Sequence, residues 1–270
     1  MPFVSPALCF IISATLVTAY VSNREKMQRT MLMNLFSKHV SHQVAEAIWH
    51  QRNEFINNGR PRSQELPVTV MFTDLKGFTS VAEGMDTQAL IDWLNTYMES
   101  MVEEIINHDG VVDDYAGDGI KANFGFPIPR HNEAEVSRDA VNAVKCALAI
   151  EKEVFRLNTE CQKQNMPEVG IRIGIYTGSA VAGAIGSTNR LKYTTVGDTV
   201  NIAARLESYD KELAKEKLCR ILISDTTLQY LNGQFEVEKI GDVNLKGKRK
   251  EVAIYHVLGY VNESHENIKI

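Results

Sequence analysis

Two aspartates stand where apolar runs give way to glycine. In Phe72-Thr73-Asp74-Leu75-Lys76-Gly77-Phe78-Thr79 an acid closes a strand-like run, and a glycine three residues later opens a tight turn into a helix. In Asp114-Tyr115-Ala116-Gly117-Asp118-Gly119-Ile120-Lys121-Ala122 a second acid lies between two glycines, where backbone and ligand can approach closely. Either acid alone is an ordinary turn former. At the ends of neighbouring strands, the two together are the hard oxygen ligands that a pair of Mg²⁺ or Mn²⁺ ions needs to hold a triphosphate. A third run, Tyr193-Thr194-Thr195-Val196-Gly197-Asp198-Thr199-Val200-Asn201-Ile202-Ala203-Ala204-Arg205, places Asn201 and Arg205 four apart and so on one helix face. An amide beside a guanidinium suits a ribose and a phosphoryl group, although such a pair in isolation is a solvated polar stripe. Asp198 suits the N-cap of that helix. Asn244-Leu245-Lys246-Gly247-Lys248-Arg249-Lys250 is a basic turn that can grip phosphate, as most such turns do not.

These side chains need a scaffold, and from Pro67 the pattern supplies one. Val68 to Thr73 reads as a strand, and Asp86 to His108 as a helix with Leu90, Leu94, Tyr97, Met101 and Ile105 on one face. Gly110 to Tyr115 and Gly119 to Phe124 predict a hairpin with Asp118 at its tip. A long helix follows from Glu133 to about Asn165, then a strand from Gly170 to Tyr176. Gly178 to Ile185 and Leu191 to Val196 predict a second hairpin, leading into a helix from Thr199 to about Ser208. Ile221 to Ser224 and Glu251 to Val257 are further short strands. Alternating strands and helices with antiparallel hairpins predict an α/β (α+β) sandwich, with helices beside one mixed sheet.

The N-terminal segment differs. Phe3 to Val21 carries no charge. At a helical rise of ~1.5 Å per residue it reaches roughly 28 Å, close to the hydrocarbon thickness of a bilayer. A buried helix of a soluble domain shares that look, but Arg24, Lys26 and Arg29 follow directly, and the positive-inside rule then puts the rest of the chain in the cytoplasm. Leu32, Phe36, Val40, Val44 and Ile48 recur every four residues, so residues 24–58 predict a helical stalk. Its stripe needs a partner, either a second copy in parallel or the following domain. Asn57 to Ser63 is a turn-rich linker.

Composition narrows the classes further. Apolar residues at 44% and charged ones at 23% exclude a disordered chain. A net charge of −5 leaves no broad basic field, which argues against nucleic acid as a partner. The four cysteines are far apart, without a CxxC pair, and read as reduced thiols. The seven histidines include no HExxH spacing.

Taken together, the segments resemble the class III adenylyl and guanylyl cyclases over about Pro67 to Gly259, in the spaced order FTDLKGFT, GDGIKANFG, VGDTVNIAARLE and LKGK. The resemblance implies a ferredoxin-like class III nucleotide cyclase fold. Together with the N-terminal reading above, the expected division is a transmembrane helix at 1–23, stalk and linker at 24–66, a catalytic domain at 67–259 and a tail at 260–270. The resemblance implies that Asp74 and Asp118, helped by the Leu75 carbonyl, hold two Mg²⁺ or Mn²⁺ ions per site. One ion activates the ribose 3′-hydroxyl for in-line attack on the α-phosphorus, and the other neutralises the β- and γ-phosphates. By the same resemblance Asn201 orients the ribose and Arg205 stabilises the pentacoordinate phosphoryl group. Lys246, Arg190 and the turn of Gly77, Phe78 and Thr79 bind substrate. Family sites form between two catalytic domains, so a single-domain chain is expected to work as a homodimer with two equivalent sites.

Base choice is the point of departure. Adenylyl cyclases place a lysine four residues before the second metal aspartate, paired with Asp or Thr. Thr194 fits the partner position, but Asp114 occupies the lysine position. Guanylyl cyclases often carry Glu there, because a carboxylate accepts the guanine N1 and N2 hydrogens. Lys121 lies across the hairpin and supplies the cation, with Asp114 engaging Lys121 or the adenine amino group. The expectation is therefore a membrane-anchored adenylate cyclase making cyclic AMP and pyrophosphate from ATP. The alternatives are a guanylate cyclase and a silent, dimerising cyclase-like module. A diguanylate cyclase is excluded by the absence of a Gly-Gly-Asp/Glu-Glu-Phe turn. The N-terminal segment is expected to match the last span and signalling helix of longer receptors, with nothing large enough to sense a ligand before it.

Overall fold

From Gln64 to Lys76 the chain alternates between two buried faces, with Leu66, Val68 and Val70 on one and Met71 and Leu75 on the other. This strand, β3, is the axis of the molecule. The computed structural model describes residues 4–36, 56–57, 60–187, 190–243 and 251–261. Within them α1 (Val4–Phe36) is one continuous helix through the expected boundary at residue 23. Its Ala7–Met27 segment is long and apolar enough to cross a membrane, and none of it is buried against the rest of the chain. The later stalk positions Val40, Val44 and Ile48 lie outside the described residues, and β1 (Ile56–Asn57) pairs with β2 (Arg60–Pro61) in the linker.

The main sheet runs β4-β5-β3-β6-β8-β10-β9. It comprises β3, the hairpin β4 (Val111–Ala116) and β5 (Gly119–Phe124), β6 (Gly170–Ser187), β8 (Cys219–Ser224), β9 (Phe235–Val243) and β10 (Val252–Tyr260), with β7 (Arg190–Val196) paired to the far half of β6. Its pairs are antiparallel except β6 with β8. The expected strand and hairpin arm at 170–185 are one strand, because β3 binds its length from Lys76↔Gly170 to Gln64↔Ala182. The edge strand β9 is absent from the sequence reading: its charged, half-exposed side chains give little apolar alternation.

One face is covered by α3 (Thr87–Asn107) and α4 (Glu133–Lys163). Asp86 caps α3 by accepting from the Gln88 and Ala89 amides, and Trp93, Tyr97, Met101 and Ile105 then recur every four residues toward the sheet. Asn132 caps α4 through the Glu135 amide, while the Glu135 carboxylate accepts from the His131 amide one residue before the cap. These helices close over Met71, Leu75, Ile171, Ile173, Ile221 and Ile223. The opposite face carries α5 (Asp198–Ser208), seated on β6. A Cβ at Gly174 would lie 2.1 Å from the Glu207 nitrogen and 2.5 Å from the Ala203 oxygen, so only glycine permits this approach. Short helices α2 (Phe78–Gly84) and α6 (Asp225–Gln229) complete the described fold.

Candidate functional site

Asp74 occupies the α5 face of β3 near its end, and the β4–β5 turn brings Asp118 beside it. The approach depends on Gly119, whose Cβ would stand 2.2 Å from the Thr73 carbonyl oxygen. The Ile120 amide then donates to Thr73 Oγ1 at 3.0 Å, pinning the hairpin to β3. The Asp118 carboxyl is pushed above the usual range by burial and by the neighbouring Asp74 charge, against the pull of the Asp118 and Leu75 amides and of Arg172. Arg172 stands opposite Asp74 in the β3–β6 register and donates to its Oδ2; its Nε reaches Glu207 Oε1 at 3.4 Å. Burial, and then Asp74, also raise the Glu207 carboxyl. The corner thus sets three carboxyls against two guanidiniums, Arg172 and the nearby Arg220, and the excess of acid suits a cation.

The sequence reading did not single out Arg172 or Glu207. The available signal was Ile171-Arg172-Ile173, one charge facing inward on an otherwise apolar strand.

On α5, Thr199, Ile202, Ala203 and Leu206 face the core, leaving Asn201 exposed and Arg205 half-buried. Gly197, not Asp198, is the N-cap; Asp198 is the first helical residue, where its charge still complements the helix dipole. Arg220, buried from β8, donates to the Glu207, Tyr209 and Asp210 carbonyls and so fixes the other end of α5. Among the described residues, no hydrogen bond or ion pair joins Asn201 or Arg205 to Asp74 or Asp118.

Lys121 and Thr194 do meet. The β6–β7 ribbon carries Thr194 and Thr195 over the α5 face to β5, where Lys121 Nζ donates to the Thr195 carbonyl at 2.7 Å and to Thr194 Oγ1 at 3.3 Å. Asp114 stands opposite Lys121 in register, yet it does not engage it. Its carboxylate pairs with Lys192 at 2.8 Å and is 62% exposed. A bulge between Val112 and Asp114 accounts for the difference. The extra residue, Asp113, is turned inward and fully buried, and its Oδ2 lies 2.5 Å from Lys121 Nζ. Thr194 Oγ1 donates to the same oxygen at 2.8 Å and Asn123 Nδ2 at 3.0 Å. The acid that engages Lys121 is thus Asp113 rather than Asp114; the two are adjacent and only the bulge decides between them.

Of the remaining expected contacts, Gly77 has φ +80° and caps α2, Phe78 stacks on Trp93 with centroids 6.4 Å apart, and Thr79 is exposed. Arg190 opens β7 opposite Ser187. Lys246 lies outside the described residues.

Residues 61–259 match the adenylate and guanylate cyclase catalytic domain. The chain is 33% identical over 194 residues to adenylate cyclase 1 of Rhizobium meliloti, covering 72% of this chain and 28% of that protein. It is 29% identical over 235 residues to an adenylate cyclase of Anabaena cylindrica, covering 86% and 44%. The chain therefore spans less than half the length of these relatives. Among solved structures, the adenylyl cyclase CyaB of P. aeruginosa superposes with a TM-score of 0.67 at 31% identity, over 74% of this chain and 98% of that one. The guanylyl cyclase Cya2 superposes with a TM-score of 0.66 at 32% identity, over 75% and 97%.

Proposed function

The chain belongs to the family of adenylate and guanylate cyclase catalytic domains, and on that premise we propose an adenylate cyclase that converts ATP to cyclic AMP and pyrophosphate. The observation that carries the choice of base is the Lys121–Thr194 contact at 3.3 Å. Overall likeness to an adenylyl and to a guanylyl cyclase is equal to within a percentage point of identity, so the pocket must decide. A lysine donor beside a hydroxyl reads adenine, which offers N1 as acceptor and N6 as donor.

Asp74 and Asp118 fit two Mg²⁺ or Mn²⁺ ions. Magnesium is commonly held by one or two carboxylates plus substrate phosphates, and Glu207, the third acid of the corner, is engaged by Arg172. Bound there with the Leu75 carbonyl, such ions supply Lewis-acid activation of the 3′-hydroxyl and charge neutralisation on the triphosphate. The chain's own side chains do the rest. Asn201 hydrogen-bonds the ribose and fixes the 3′-oxygen in line with the α-phosphorus. The 3′-hydroxyl gives up its proton to solvent as its oxygen bonds the α-phosphorus, and the bond from the α-phosphorus to the bridging oxygen of the β-phosphate breaks, so that pyrophosphate leaves with that electron pair. Arg205 faces the equatorial oxygens, where charge grows in the transition state. Lys246, Arg190 and the amides of the Gly77-Phe78-Thr79 turn hold the departing polyphosphate.

The carboxylates of one protomer and the Asn201–Arg205 face of its partner build each site, so the enzyme is a homodimer. The unburied apolar helix of Ala7–Met27, with Arg24, Lys26 and Arg29 at its end, anchors it by a single span with the domain in the cytoplasm. The test is kcat/KM for ATP and for GTP, under Mg²⁺ and then Mn²⁺. ATP should lead by roughly tenfold or more; a GTP preference replaces this reading with a guanylate cyclase.

A further inference from the structure

We propose that Asp113 encodes the preference for adenine by fixing the direction of the Thr194 hydroxyl; the inference rests on the ATP reading above. A threonine hydroxyl has one proton and two lone pairs. A carboxylate only accepts, so the 2.8 Å contact from Thr194 Oγ1 to Asp113 Oδ2 commits that proton to Asp113. Thr194 then presents lone pairs alone to a ligand. Lys121 has three ammonium hydrogens, of which the short contacts to Asp113 Oδ2 and the Thr195 carbonyl, at 2.5 and 2.7 Å, take two. The third makes the long 3.3 Å contact to Thr194, which a better acceptor can replace.

The pocket therefore shows one donor beside one acceptor in a fixed order. Adenine N1 accepts from Lys121 and the adenine 6-amino group donates to Thr194. Guanine presents N1–H and O6 at those positions, reversed. With a freely rotating hydroxyl Thr194 could donate to O6, and only the meeting of Lys121 with guanine N1–H would still count against GTP. Asp113 removes that freedom.

The way Asp113 is held supports a role beyond packing. It reaches the cluster through a bulge, a device that re-aims side chains beside active sites. Its Oδ1 is buried without a hydrogen-bond partner, and the Lys192 ammonium stands 3.9 Å away. An orphaned buried oxygen is unfavourable, and a fold seeking stability alone has no need of it. Asp113 is thus a positioning residue that acts on the base through Thr194 and Lys121.

The experiment compares kcat/KM for ATP, GTP and purine riboside triphosphate, which keeps N1 but lacks the 6-amino group. The parent should favour ATP over purine riboside triphosphate by roughly tenfold or more. In Asp113→Asn, with dimerisation and thermal unfolding checked, the ATP/GTP ratio should fall as Thr194 gains the freedom to donate to O6, and the ATP to purine riboside triphosphate ratio should fall less. A uniform loss on all three nucleotides, with both ratios kept, means a merely structural role and overturns the inference. Equal use of ATP and purine riboside triphosphate by the parent overturns it as well. If Asp113→Asn does not fold, the pair Asp113→Asn with Lys121→Met removes both buried charges together, and an ATP/GTP ratio unchanged there is again decisive against it. A parent that prefers GTP removes the ATP reading itself, whereas an ATP-preferring parent with unchanged ratios in the variant removes only the role of Asp113.

Discussion

Asp74 and Asp118 reach one corner with different support. Asp74 has Arg172 opposite it in register, whereas Asp118 is half-buried beside a like charge that raises its carboxyl. Raised from its unfolded value, that carboxyl opposes folding at neutral pH, as a charged group kept for function often does. Asp118→Ala should therefore unfold at the same temperature as the parent or higher in metal-free buffer. Asp74→Ala leaves Arg172 its Glu207 partner and should also fold. Both variants should lose at least ~10²-fold in cyclisation, because each removes charge compensation from the transition state. Mn²⁺ should raise the melting temperature of the parent and not of either variant, since a ligand stabilises only the state that binds it. Near-normal turnover, or an undiminished Mn²⁺ shift, in a folded variant would remove that aspartate from the metal site.

At the scale of elements, the site depends on how closely α5 lies on β6. Gly174→Ala puts a methyl group against the backbone of Ala203 and Glu207, which a side-chain rotation cannot relieve. The helix must lift, at a cost of about 1–3 kcal/mol. Asn201 and Arg205 should move with it, so kcat should fall while the urea midpoint drops; a full-activity Gly174→Ala chain would show that α5 needs no such seating. Most of these elements were legible in the sequence. The four-residue repeat of α3 and the glycine-flanked Asp118 turn declare themselves through local patterning. What was not legible arises from pairing between distant strands. The run from Gly170 to Ser187 reads as two pieces because its glycines interrupt the apolar pattern, and only β3 alongside makes it one strand. The bulge that chooses Asp113 over Asp114 is likewise a property of the β4–β5 register, and the Arg172 partner of Asp74 follows from β3–β6 pairing.

For the whole molecule, two properties emerge that no single element sets. The first is acid sensitivity. His256 on β10 is 5% exposed, and burial, with Lys217, Arg220 and Lys76 adding to it, pushes its imidazole down to about 4. The unfolded chain takes up that proton near pH ~6.5. The folded ring stays neutral, so its stabilising share is complete above that value and is lost as pH falls from about 6.5 toward 4, at ~1.4 kcal/mol per unit. Urea midpoints across that window should fall in the parent and fall less in His256→Gln. The second property is assembly. Among the described residues no hydrogen bond or ion pair joins Asp74 or Asp118 to Asn201 or Arg205, and in the proposed two-fold dimer each half would meet its complement on the partner. Asp74→Ala and Arg205→Ala chains should each be inactive alone. Coexpressed in equal amounts, about half of the dimers are mixed, and one of the two sites in each mixed dimer keeps both residues. Recovery should therefore approach roughly a quarter of parental activity, and should scale with the mixed fraction measured by differential tagging. Recovery of none, with mixed dimers demonstrated, would place both residues in a site built by one chain and overturn the shared arrangement.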